Sequence, residues 1–159
     1  MPFFLCLFFI TFEIQKLVNM YEFIQKFHSG WAFLAILGLV IAVVNSFIGK
    51  SSNREFTAKD RKIALFALIG THTQLLVGLV LYFLSPLGSA AFGQMKEASL
   101  RLTSLEHPLV NIIAIALITV GWSKHKKAVS SELKFKSIAI FYGLGLVLIL
   151  SKIPWSLWF

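Results

Sequence analysis

The stretch Ile63–Leu84, IALFALIGTHTQLLVGLVLYFL, decides the architecture. It runs for 22 residues without Asp, Glu, Lys or Arg. At about 1.5 Å per residue, a helix of this length crosses the roughly 30 Å hydrocarbon core of a bilayer. No alternation of period two runs through it, so a half-buried strand is excluded. Three more apolar stretches flank it, at about 27–48, 105–122 and 138–153, the last ending in Pro154. The two shorter ones reach spanning length with their amphipathic flanks, including Glu106, His107 and Ser137. Lipid offers no hydrogen bonds to a peptide backbone, so all four are expected to be helices. The fold class is therefore all-α, an integral membrane four-helix up-down bundle over residues 20–159.

Composition agrees. The chain is 57% apolar and 14% charged, where a soluble domain is about 45–50% and about 25%. Too few polar residues remain to cover a soluble surface, and a disordered basic tail is equally excluded. The single cysteine, Cys6, forms no internal disulfide framework, and no C-x-x-C-H offers covalent haem attachment. Residues 1–19 read as a separate extension. The apolar run Met1–Phe12 is too short to span. It also lacks the basic leader and small-residue cleavage site of a secretory signal. Met20 opens a segment that reads as a natural translation start. The extension is expected to come from an upstream start or to lie on the membrane surface.

Charge sets the expected orientation. The net charge is +8. Loops 50–62 and 123–137, on one side of an up-down bundle, hold ten basic residues against three acidic ones, net +7. The rest of the chain holds five against four, net +1. The positive-inside rule places both loops in the cytoplasm and both termini outside. Trp31, Trp122, Trp155 and Trp158 fall near span ends, as interfacial aromatics do. The basic loops are explained by attraction to anionic lipid, so no nucleic-acid partner is expected.

With so little polar surface, function is sought in or beside the membrane. Polar residues inside spans are costly, and each is a candidate: His28, Asn45, His72, Gln74, Glu106, His107, Asn111 and Lys152. His125 sits among lysines and reads as a solvated loop residue. His28 and His107 open helices 1 and 3, which are parallel and diagonal in such a bundle, so they share one depth. His72 lies roughly 14 Å into its helix, too deep to share their site. His28, Ala32, Ala35, Ala42, Ser46 and Gly49 follow one helical face, as do His107, Asn111 and Ala114. Small residues beside a histidine admit a flat macrocycle, although they also form the ordinary packing seam of membrane helices. Two imidazoles at one height suit the axial positions of a b-type haem. Lys26, Arg101 and Lys152 would then meet its propionates, with Arg101 the best suited. The plainer reading makes all three snorkelling anchors. No H-E-x-x-H, phosphate loop or G-x-S-x-G elbow is present.

Several elements together resemble a known group. They are His28-Ser29-Gly30, Phe56–Lys62, Thr71-His72-Thr73-Gln74-Leu75-Leu76 with Gly78, and Tyr82–Pro86. Arg101 with Glu106-His107 and Ile153-Pro154-Trp155 complete the set. From Met20 to Trp158 the chain resembles the small four-span bacterial membrane proteins labelled cytochrome b or cytochrome b-like. The resemblance implies haem b, electron transfer, the bacterial inner membrane and roles for His28, His72 and His107. On this reading His28 and His107 are the metal ligands, while Arg101, Asn111 and Lys152 belong to the cofactor site. His72 and Gln74 would line the second shell or a quinone-sized crevice. Two other functions stand beside it: a structural or assembly subunit of a larger membrane or redox complex, and a small transporter or proton relay centred on His72 and Gln74.

Overall fold

The computed structural model describes residues 2–158, with the side chains of residues 11–158. Four long helices account for most of it: α1 (Pro2–Ser51), α2 (Ala58–Leu84), α3 (Ala98–Lys127) and α4 (Ser131–Ser151). Each is long and apolar enough to cross a membrane, and no strand occurs among the described residues.

The helices outrun the apolar stretches that announce them. α1 continues through residues 11–26 without a break, so position 20 marks no structural boundary. Residues 11–20 of that arm are exposed. Met1 lies outside the described residues, and of residues 2–10 only the helical path is described. The expected 123–137 loop contracts to residues 128–130, because its lysines lie on the ends of α3 and α4. Ser130 caps α4 by accepting the Leu133 N–H at 3.3 Å. His125, expected in solvent, is buried. Its Nδ1 donates to the Trp122 carbonyl at 2.6 Å, and its ring packs on Trp122 and Phe56. Three lysines flank it in sequence, but the last turn of α3 points this one side chain inward.

Each helix is antiparallel to the next. α1 packs on α2 and α4, and α3 packs on α4 and more loosely on α2, leaving α1 and α3 diagonal. The half near the short connections is filled by Leu39, Ala42, Val43, Ala64, Ala67, Ile118, Ile138 and Tyr142. The small face of α1 serves here: Ala42, Ser46 and Gly49 are buried. Gly49 lies against the Phe135 ring with no room for a methyl group. Such close approach supplies the packing that holds helices together where lipid removes the hydrophobic drive. Tyr142 is fully buried and donates its hydroxyl proton to the Ala64 carbonyl at 3.1 Å.

Asp60, 3% exposed, ties the α1–α2 connection shut. It accepts from both Arg54 terminal nitrogens at 2.7 and 2.6 Å and from Asn45 Nδ2 at 2.8 Å. It also takes the Thr57 N–H at 2.8 Å and the Thr57 hydroxyl at 2.7 Å. The Thr57 N–H is an otherwise orphaned donor at a helix start, which an acidic residue three positions on satisfies. The carboxylate in turn raises the Arg54 pKa through their hydrogen bonds. Asn45, a candidate by its polarity, is thus absorbed into this clamp. Removing one partner leaves a buried charge uncompensated. Arg54→Ala should therefore cost about 3 kcal/mol. Asn45→Ala should cost about 1 kcal/mol, as one lost hydrogen bond does. Thermal or denaturant unfolding in detergent would reveal whether the order is reversed.

Candidate functional site

The opposite half of the bundle is hollow. A cavity of about 200 Å³ runs between all four helices, from Leu39 and Ile115 at its floor to Leu87, Leu157 and Trp158 at its mouth. Its wall is largely apolar. The polar groups that reach it include His28, Gln74, His107 and Asn111.

His107 owes its place to the residue after it. Pro108 has no N–H, so the Ser104 carbonyl loses its α-helical partner, and the proline ring crowds that carbonyl. α3 widens here into a π turn over Leu102–Glu106, as helices do at such faults, often beside functional residues. Thr103 and Ser104 hydroxyls donate to carbonyls one turn back, at Ser99 and Leu100. The turn ends directly before His107. Glu106 reaches the rim, where it accepts Arg101 Nε at 2.9 Å and Lys152 Nζ at 2.8 Å. His107 lines the cavity instead. Its Nδ1 donates to the Lys152 carbonyl at 2.8 Å. That bond fixes the tautomer and leaves Nε2 with its lone pair. Asn111 Nδ2 donates to the His107 carbonyl at 2.6 Å.

His28 enters from the diagonal helix. Its ring centre stands 6.4 Å from that of His107, with the planes 78° apart. The ring rests against the α2 backbone because position 78 is glycine. A Cβ there would lie 2.9 Å from His28 Cε1. Gln74 Nε2 donates to the His28 carbonyl at 2.9 Å and stands 3.2 Å from each ring nitrogen. Gln74 Oε1 is buried with no partner among the described residues. A buried acceptor left unpaired costs about 1–3 kcal/mol, so it marks a place where a donor is wanted.

The other candidates fall elsewhere. His72 does not line the cavity. Its Nδ1 donates to the Leu68 carbonyl at 2.8 Å, and Nε2 faces the Thr119 hydroxyl at 3.2 Å, tying α2 to α3. Arg101 and Lys152 reach the rim, but both are engaged by Glu106. Lys26 pairs loosely with Glu22 at 3.9 Å on the exposed face of α1. Trp31, placed by sequence near a span end, donates to the Gly70 carbonyl at 3.0 Å. Two features carried no expectation: the π turn and the seat that Gly78 gives His28. The first had a signal in Thr103-Ser104 ahead of Pro108.

Chemically, His28 and His107 form a pair of imidazoles, and no group of three or more His, Cys, Asp or Glu gathers as a metal site among the described residues. Two imidazoles sharing an ion at ordinary bond lengths of about 2.0–2.1 Å have ring centres roughly 6 Å apart. A ligating histidine generally donates its second nitrogen to a carbonyl or carboxylate, as His107 does to Lys152. Comparison with family models, curated proteins and solved structures gives no match.

A side chain at 78 has to displace His28. Gly78→Val should cost about 1–3 kcal/mol through overpacking. In histidine-labelled protein, the His28 and His107 ring resonances should move while those of His72 and His125 stay. Unchanged His28 signals would contradict the seat assigned to Gly78.

Proposed function

We propose that this chain is a membrane cytochrome b-like protein that holds one haem b between His28 and His107 and takes part in electron transfer. The observation that carries the reading is the approach of these two imidazoles, ring centres 6.4 Å apart, in the wall of a largely apolar cavity. The donor set suits the group: two neutral nitrogen ligands on diagonal helices, one already oriented by a backbone carbonyl. Gly78, Ala32 and Ala35 keep the walls of the same space low, but about 200 Å³ is less than a drug-sized ligand fills, so the helices must part to admit the macrocycle. When bound, a b-type haem supplies one-electron chemistry whose potential its axial ligands tune.

The protein's own residues have definite tasks in this reading. His107 is held in one tautomer by Lys152, and His28 is held on Gly78 by packing. Gln74 must release the His28 ring nitrogens for ligation. Arg101 and Lys152 already neutralise Glu106, so they serve a propionate only by sharing their donors with that carboxylate. His72 keeps α2 against α3 and ligates nothing. The basic ends, including Arg61 and Lys126, face the cytoplasm of a bacterial inner membrane, and the cavity opens toward the outer face. Redox partner subunits would approach there.

The orphaned Gln74 Oε1 favours a second reading. A quinol hydroxyl would donate to it from within the same cavity, and the chain would then bind a quinone rather than haem. Protein from haem-replete cells separates the two. Cytochrome b bands in a reduced-minus-oxidised spectrum are expected, lost in His28→Ala and in His107→Ala and kept in His72→Ala. Colourless protein that releases quinone on extraction would replace the first reading with the second.

A further inference from the structure

At the end of the bundle opposite the cavity, three helices bring cations to one aromatic cluster. The cluster is Trp122, Phe56 and the buried His125, with ring centres of Trp122 and His125 4.4 Å apart. Arg61 of α2 places its guanidinium carbon 6.0 Å from the centre of the Trp122 ring. Lys126 of α3 places Nζ 6.0 Å from the same ring. Lys134 of α4 places Nζ 5.9 Å from the Phe56 ring. All three lie near enough to His125 to act on it electrostatically.

Neither Arg61, Lys126 nor Lys134 forms an ion pair among the described residues. Asp60, next to Arg61 in sequence, is already saturated by Arg54, Asn45 and Thr57. Like charges gathered this way repel, and aromatic faces offset only part of that. The arrangement calls for an anion from outside.

The surroundings indicate its source. Arg61 and Lys126 are exposed and flank the α2–α3 seam, the loosest of the four. One turn along α2 from Arg61 the surface becomes apolar at Leu65 and Phe66, the latter 72% exposed. A phosphate with acyl chains attached meets both features, whereas free phosphate meets only the charge. Guanidinium binds phosphate oxygens in a two-pronged fashion, and tryptophan sits at headgroup level. Basic pockets between spanning helices recognise anionic headgroups in the same way.

We propose that Arg61 and Lys126 over Trp122, with Lys134 over the neighbouring Phe56, bind the phosphate of an anionic phospholipid. The site is independent of the haem reading. Its test uses the full chain in neutral detergent, with native mass spectrometry and thermal unfolding as readouts. Phosphatidylglycerol should be retained and should raise the unfolding midpoint. Phosphatidylcholine and inorganic phosphate should do neither. Arg61→Gln/Lys126→Gln should weaken phosphatidylglycerol binding about thirtyfold for two charges lost. Lys96→Gln, at the opposite end, should leave it intact. Should the double variant unfold without lipid, Lys134→Gln and Arg61→Lys decide, each binding more weakly than the native chain. Equal retention of phosphatidylcholine would overturn the proposal. So would full competition by inorganic phosphate, or an equal loss in Lys96→Gln.

Discussion

A helix that crosses lipid satisfies its own backbone and leaves its side chains to do everything else. In this bundle the side chains divide the work by depth. At one end, small residues on α1 and α2 let the backbones close in. Leu39, Ile118, Ile138 and Tyr142 then fill what remains. At the other end the helices stand apart around His28, Gln74 and His107. Packing without a hydrophobic drive demands close fit, and the closed half supplies it. The Asp60 clamp and the Tyr142–Ala64 hydrogen bond hold that closed end.

The hollow end depends on a fault in one helix. Pro108 cannot continue an α-helix without disturbing the turn before it. The π turn that results separates two neighbours in sequence, sending Glu106 to Arg101 and Lys152 at the rim and His107 into the cavity. Lys152 joins both: its amine binds Glu106 and its carbonyl accepts from His107. The end of α4 thus sets the chemistry of an α3 residue. Arg101 and Lys152, read from sequence as free cations for a cofactor's carboxylates, are held by a carboxylate the chain supplies itself.

Much of the fold was legible because membrane helices obey simple rules. Four apolar stretches gave four helices, and loop lengths gave their antiparallel order. The diagonal placement of α1 and α3 followed from connectivity, and with it the common depth of His28 and His107. Helix ends were less legible. Lys124, Lys126 and Lys127 remain helical beyond the apolar stretch, where hydropathy has no power to mark a boundary. His125 was misplaced for the same reason. Its neighbours in sequence are lysines, but its neighbours in space are Trp122 and Phe56.

The sequence by itself determined the number of helices, their order, their small-residue faces and the residues that meet at one end. It could do so because spacing along a helix fixes height and face without reference to any partner. Only the tertiary structure decided which side chains are free. It showed Glu106 taking Arg101 and Lys152, Asp60 taking Arg54 and Asn45, His72 bound to Thr119, and Gln74 Oε1 left unpaired. A hydrogen bond between helices depends on tilt, rotation and local widening at the scale of an ångström. No single helix's sequence carries that information.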